Sequence, residues 1–350
     1  MKTASQLMPC GRQRGFSLVE LMIAMTIGFV VLAGIGYLYV ESRQSFRSMD
    51  NLSRMQESAR YALEIMARDI RMAGYRGCAS SSGAFYNNLK QSTESAYNFG
   101  LPINGYDGDG GSWAPALPTD TGGLNFTNPP ILAGTDVIIL RSAFGSGTTV
   151  TAQPGNSSAD LKVTTPNDLA IGDIAIVTNC VASTVFQITN MNVNGAGQNV
   201  VHNTGAGSPG NSSQDLVENY SASGGEVIKM QSKSYFIRTG ASGRPALWQF
   251  DNYKPAVAPA EIAEGVENMQ ILYGIDVDSN GIVESYSAAD AVADWSQVAA
   301  VRISLLMAGN DDNVATSKQK YTYNGALVEA PDQRLRQVFT TTVSVRNRTQ

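Results

Sequence analysis

The stretch Gly11–Val40, GRQRGFSLVELMIAMTIGFVVLAGIGYLYV, decides how the rest of the chain is read. A short basic leader precedes an apolar run that is interrupted by a single acid, Glu20, near its start. From Leu21 to Val40 there are 20 residues without a charge, and at about 1.5 Å per residue they extend roughly 30 Å as a helix, the thickness of a bilayer's hydrocarbon. A removable secretory signal does not account for this segment. The apolar run exceeds the roughly 7 to 15 residues of a signal's apolar region, and no A-x-A site follows it. A plain anchor does not account for it either, because a lone ionised acid in hydrocarbon costs several kcal/mol. Glu20 requires a partner for its charge.

Arg14-Gly15-Phe16-Ser17-Leu18-Val19-Glu20 resembles the class III signal of type IV prepilins and pseudopilins. The resemblance implies that residues 1–15 are a leader, cut by a prepilin peptidase between Gly15 and Phe16. It also implies that Phe16 becomes an N-methylated terminus and that Glu20 is an assembly residue. The electrostatics agree independently. A terminal ammonium and a carboxylate, each expensive alone in lipid, neutralise one another between neighbouring subunits of a filament.

The leader carries Lys2, Arg12 and Arg14 and no acid before Gly15. The positive-inside bias therefore puts the N-terminus in the cytoplasm, with a single pass through the inner membrane and everything after the anchor in the periplasm. Of three cysteines, Cys10 lies in the leader, leaving Cys78 and Cys180. An even pair in an oxidising compartment points to one disulfide, the alternative being two reduced, buried thiols. Composition excludes more than it assigns. A net charge of −5, with no Lys/Arg stripe interleaved with aromatics, leaves no footprint for nucleic acid. The charged fraction of 16% is low, and 34 glycines with many Asn, Ser and Thr point to long polar loops between strands.

Beyond the anchor (16–40), residues 41–75 continue without a proline. Phe46, Met49, Leu52, Met55, Ala59, Leu63, Met66, Ile70 and Ala73 fall in steps of three and four, one stripe on a helix. The spacing predicts a helix from Phe16 to Met72, on the order of 85 Å long, ended by Gly74 and Gly77. Its lower stripe would hold a soluble domain, while Gly28, Gly34 and Gly36 let neighbouring helices approach the upper half.

Residues 76–350 read as a mostly β domain. Arg76–Gly134 is rich in Gly, Ser, Asn and Pro and reads as an irregular insertion with aromatics including Trp113. Strand signals follow at Asp136–Ser142, Gly147–Ala152, Leu161–Thr164, Asp173–Asn179 and Thr184–Val193. After a low-complexity stretch, Asn194–Gly225, come Glu226–Thr239, Ala246–Phe250, Met269–Val277, Val298–Met307, Lys320–Asn324 and Gln337–Asn347, with Glu261–Asn268 as a short helix. The expected class is α+β: a long N-terminal helix, half membrane and half amphipathic, packed on an antiparallel sheet with long loops.

Three blocks in this domain resemble the PilW-type minor pilins of type IV pili: Gly172–Cys180 (GDIAIVTNC), Val266–Gly274 (VENMQILYG) and Arg334–Thr342 (RLRQVFTTT). The helix end Ala67–Tyr75 (ARDIRMAGY) belongs to the same likeness. It implies a scarce, non-enzymatic subunit that primes pilus assembly at the inner membrane and caps the filament, supporting twitching motility and adhesion. Its implied partners are other minor pilins, the major pilin, a tip adhesin and the inner-membrane assembly platform, besides membrane lipid before assembly. A type II secretion pseudopilin of the J type shares the N-terminal motif, and a membrane-anchored periplasmic enzyme or glycan-binding protein using the aromatic-rich insertion is the reading from another class.

One stretch carries candidate ligand chemistry. Asp276, Asp278, Asn280 and Glu284 in DVDSNGIVE place oxygen-bearing side chains at alternate positions before a glycine, like the first half of a calcium loop. Ser287 stands where the last acid of such a loop belongs, and a plain turn between strands explains the same residues. The sole histidine, His202, reads as part of a Gly/Asn loop, which leaves catalytic triads and His-based metal sites without material. Gly145–Thr149 reads as a hairpin turn, and Asp107 with Asp109 as a solvated loop.

Overall fold

A computed structural model of the protein describes residues 15–79, 83–118, 130–194, 197–205, 207–252 and 257–347. The leader residues Lys2, Cys10, Arg12 and Arg14 lie outside them. Helix α1 runs Leu18–Met72, starting two positions later than the apolar pattern suggests. Gly74 and Gly77 end it, both with left-handed φ (77° and 74°). At Gly77 crowding adds to the dihedral requirement, since an added Cβ would stand 2.8 Å from side-chain atoms of Ile228 and Thr178.

The chain divides into two units, residues 1–51 and 52–350. In the first, the apolar side chains of the helix from Phe16 to Val40 are exposed. In the second, the lower stripe of α1 enters a core. Met55, Ala59, Ala62, Met66, Ile70 and Ala73 are buried among Ile103, Ile138, Leu140, Ile271 and Ile303. The stripe begins about two and a half turns lower than expected, at Met55, because Phe46, Met49 and Leu52 are exposed. Small residues at 59, 62 and 73 let strands come close to the helix axis. A polar pin fixes the register of this contact. Buried Asp69 accepts hydrogen bonds from Tyr235 Oη (2.7 Å) and Lys233 Nζ (2.9 Å). Tyr235→Phe keeps the ring and removes one charge-assisted bond, so urea unfolding of the full chain is expected to show a loss of about 1.5–3 kcal/mol. A loss below about 0.5 kcal/mol, the scale of surface substitutions, would mean that Lys233, with Gln249 and Arg68 beside it, satisfies the carboxylate without the tyrosine.

Twelve strands among the described residues form the larger sheet: β1 (Ala84–Asn87), β2 (Ile103–Asp109), β3 (Ser112–Ala114), β4 (Val137–Ala152), β5 (Asp160–Thr164), β6 (Ile174–Thr178), β7 (Ala182–Gln187), β8 (Asn190–Asn194), β9 (Gly197–Val201), β10 (Glu226–Thr239), β11 (Pro245–Asp251) and β12 (Ala260–Glu264). The path is β1-β7-β6-β10-β4-β5-β9-β8, with β11 and then β12 added to β10, and β2 and then β3 added to β4. Pairing is antiparallel except between β1 and β7. Long β10 is the hub, meeting β6, β4 and β11. A smaller sheet, in the order β14-β13-β15-β18, is made of β13 (Val266–Ile275), β14 (Ser285–Ser287), β15 (Val298–Ala308) and β18 (Arg336–Ser344). The hairpin β16 (Lys320–Tyr323) and β17 (Ala326–Glu329) is separate. Buried Arg336 clamps the small sheet. Its Nε and Nη2 meet the two carboxylate oxygens of Glu267 at 2.7 and 2.9 Å, and its Nη1 meets Asp332 at 2.5 Å. That hydrogen bond holds the Asp332 carboxyl below the usual carboxylate range.

Several expectations are corrected. Glu261–Asn268 is not helical: β12 ends at Glu264, Gly265 takes a left-handed φ of 83°, and β13 begins at Val266. Pairing of β12 with β11 and of β13 with β15 outweighs helix propensity there. Gly145–Thr149 is no hairpin turn, and Gly147–Ala152 is no separate strand. The chain runs on through β4, absorbing Gly145–Gly147 in a register shift opposite Val227 and Lys229. Thr184–Val193 is two strands, broken at Ile188 and Thr189. Two segments without strand signals contain strands, β1 to β3 within 76–134 and β9 within 194–225. His202 lies just past β9 in irregular backbone, as expected, but its side chain is fully buried against Phe186, with ring centroids 5.0 Å apart. Burial pushes its pKa down to about 4.

Candidate functional site

The start of α1 is built by its own sequence. Ser17 sits at the N-cap: its hydroxyl accepts from Val19 N (3.4 Å), and Glu20 reaches back to accept from Ser17 N (3.2 Å). This is close to the Ser-x-x-Glu capping box, with the serine hydroxyl on the second helical N–H in place of the third, so that two backbone donors at the helix start are satisfied. The signal for it in the sequence is the spacing of Ser17 and Glu20. Glu20 thus has a local role in ordering the first turn, and its negative charge also suits the helix N-terminus. Gly15 and Phe16 precede this cap in irregular backbone, with the Phe16 ring exposed. The Gly15–Phe16 bond is therefore accessible to a peptidase.

From Leu18 to Val40 the helix surface is apolar and almost wholly exposed. Thr26 satisfies its hydroxyl on Ile23 O (2.8 Å), which lets it sit in an apolar medium. The helix is long and apolar enough to cross a membrane. A Cβ placed on Gly28, Gly34 or Gly36 would meet nothing within 4 Å, so these glycines leave room for another helix.

Cys78 and Cys180 are bonded across 102 positions, joining the segment after α1 to the turn between β6 and β7. Cys180 holds a left-handed φ of 67°, which orients it in that tight turn.

The DVDSNGIVE turn follows β13. Oxygens of Asp276, Asp278 and Glu284 lie within 4.8 Å of one another. Asp276 is buried and accepts from Asn280 N (3.1 Å) and Gly281 N (2.8 Å), Glu284 accepts from Val277 N (3.0 Å), and Asn280 Oδ1 accepts from Ile282 N (2.7 Å). The donor set is all oxygen, which suits a hard divalent cation in kind. Three carboxylates and one amide fall short of the roughly six to eight ligands calcium takes, so waters would have to complete the shell.

Residues 10–36 match the prokaryotic N-terminal methylation motif. Residues 234–347, from within β10 to just past β18, match the family described as type IV pilus-assembly protein W. A pilin-like protein of Thermus thermophilus, PilA3, is 37% identical over 65 residues, 18% of this chain. The chain aligns with about 28% of that relative's length. No solved structure matches the chain. A methylation motif at the head of an exposed apolar helix, followed by a segment that matches the assembly-protein-W family, makes this chain similar to the PilW-type pilin-like proteins of type IV pili.

Proposed function

We infer that this chain is a minor pilin that primes type IV pilus assembly and sits at the filament tip, with no enzymatic activity. The observation that carries the reading is Glu20 at the head of an exposed apolar helix directly behind the Gly15–Phe16 cleavage motif. Methylated Phe16 would bring an ammonium that a neighbour's Glu20 neutralises, so the charge pair forms only when subunits stack. In this reading the N-terminus begins in the cytoplasm and the β domain in the periplasm. Other minor pilins, the major pilin, a tip adhesin and the assembly platform are the partners.

The test is crosslinking in living cells, co-purification from membranes and identification of the captured chains, with surface motility and protein secretion measured after gene deletion. Capture of pilus subunits with loss of twitching is the expected result. Capture of secretion-system subunits with intact twitching would assign the chain to a J-type pseudopilin instead. Binding of a glycan by the full chain, lost in Trp113→Ala, would favour the ligand-binding class.

Calcium at the DVDSNGIVE turn is a second reading, favoured by the convergence of Asp276, Asp278 and Glu284. Calcium at about 100 times its Kd should stabilise the full chain by roughly 2.7 kcal/mol, and Asp278→Asn should remove that gain. A titration to millimolar calcium with no shift in unfolding would reduce the turn to its hydrogen bonds.

A further inference from the structure

The inference concerns a buried pair of acids where the two sheets meet. Asp136, just before β4, is 2% exposed. Its backbone N–H donates to Met269 O of β13 (2.9 Å). Its Oδ2 accepts from Ile271 N of β13 (2.6 Å), and its Oδ1 accepts from Gly108 N of β2 (3.0 Å). One side chain therefore ties the larger sheet, through β2 and β4, to the smaller one. The approach is close: a Cβ on Gly108 would stand 2.3 Å from Thr135 O, and one on Gly105 would overlap the Tyr273 hydroxyl.

Asp107 of β2, expected in a solvated loop, is half-buried; it adjoins Gly108, whose N–H donates to Asp136, and its carboxyl group lies against that of Asp136. Two carboxyl groups set side by side away from water hold a proton between them rather than two charges, because two carboxylates have only acceptors to offer each other. The titratable groups facing the pair are Tyr106 and Asp109 on β2, Asp290 in the short helical turn Ala289–Ala291, Tyr273 on β13 and Tyr323 on β16. None of these groups, which are those among the described residues, is a cation. The Tyr273 hydroxyl is fully buried with no hydrogen-bond partner among the described residues, so it does not replace the proton.

We propose that Asp107 and Asp136 share one proton across the junction of the two sheets, forming a latch that holds while the proton is bound and loosens when it is lost. Burial, and then the neighbouring Asp107, push the Asp136 pKa up to about 7, against the hydrogen bonds from Gly108 and Ile271; Asp107 is raised as well, first by its own burial. The sign follows from linkage. A carboxyl whose closed-state pKa lies above its open-state value binds more protons when closed, so the latch is strongest at acidic pH and weakens as pH rises through the window between about 4 and 7. Above that window both states are ionised and the dependence levels off. His202 acts in the opposite sense, because its lowered pKa removes stability as pH falls from about 6.5 toward 4. A whole-protein unfolding curve would therefore mix the two, and a local readout is needed.

The experiment is hydrogen exchange by mass spectrometry on the full chain in detergent micelles from pH 5 to 8.5, corrected for intrinsic exchange, following peptides that contain Gly108 and Ile271. In the wild type, protection at these peptides should fall roughly tenfold per pH unit up to pH 7 and then level off. Peptides of β5 and β9 should not show this fall. Asp107→Asn supplies a permanent N–H donor to Asp136, so protection should stay flat across the same range. Asp136→Asn should also be flat, and if it fails to fold, Asp107→Asn still decides. Wild-type protection that is flat from pH 5 to 7, or an Asp107→Asn chain that keeps the wild-type slope, would overturn the proposal.

Discussion

Replacing Cys180 with alanine is expected to lower the unfolding free energy of the oxidised chain by about 4–5 kcal/mol. The bond closes a loop between positions 102 apart, and the chain-entropy relation gives about 4.7 kcal/mol for a loop of about 100 residues. The anchor points matter as much as the length. Cys78 lies six positions after the last residue of α1, and Cys180 in the turn between β6 and β7, so the bond fastens the helix end to the larger sheet. Without it, the unfolded chain regains the freedom of every residue between, while β6 and β7 lose a fixed point. Urea unfolding of wild type, Cys180→Ala and the Cys78→Ala/Cys180→Ala pair measures the effect, with reductant as a control. Reductant should lower the wild type to the level of the variants and leave the variants unchanged. A difference below 1 kcal/mol between oxidised wild type and the double variant would show that the unfolded chain is held compact by something other than this bond.

Glu20→Ala is expected to leave cleavage after Gly15 intact and to remove the subunit from sheared filaments. An unpaired terminal ammonium in hydrocarbon costs several kcal/mol; since about 1.4 kcal/mol is a factor of ten, incorporation should fall at least 100-fold. Because Glu20 also caps its own helix, the alanine variant loses two things at once. Glu20→Gln separates them. Glutamine serves in a capping box but carries no charge, so it should behave like alanine if charge pairing governs assembly. Immunoblots of sheared filaments against the membrane fraction give the answer. Full incorporation of Glu20→Gln would reduce the residue to a helix cap, and full incorporation of Glu20→Ala would remove it from the assembly account.

How much was legible varies from element to element. The span of α1 could be read because a helix announces itself by local spacing: an uncharged run, then a 3.6-residue stripe, then two glycines that alone tolerate the left-handed φ of its end. The hub strand β10 could be read for a similar reason, since Glu226–Thr239 is strand-like along its whole length. The Asp276 turn could be read as a turn, because its hydrogen bonds close within nine residues. Glu261–Asn268 is not legible, because its local preference is helical while its fate is set by pairing with β11 and β15. Gly145–Gly147 is ambiguous in sequence, because glycine marks both a hairpin and a bulge, and only the partner strand distinguishes them.

The sequence alone determined the anchor, the cleavage motif, the acid at the helix head and the cysteine pair, since each is a matter of composition and near-neighbour spacing. The tertiary structure decided that Phe46 and Met49 stay outside the core, that Asp69 pins the helix to Lys233 and Tyr235, and that Asp107 meets Asp136. Those contacts join residues far apart in the chain, and no local pattern encodes them: which carboxyl meets which donor is settled only when the strands have taken their places and water has been excluded between them.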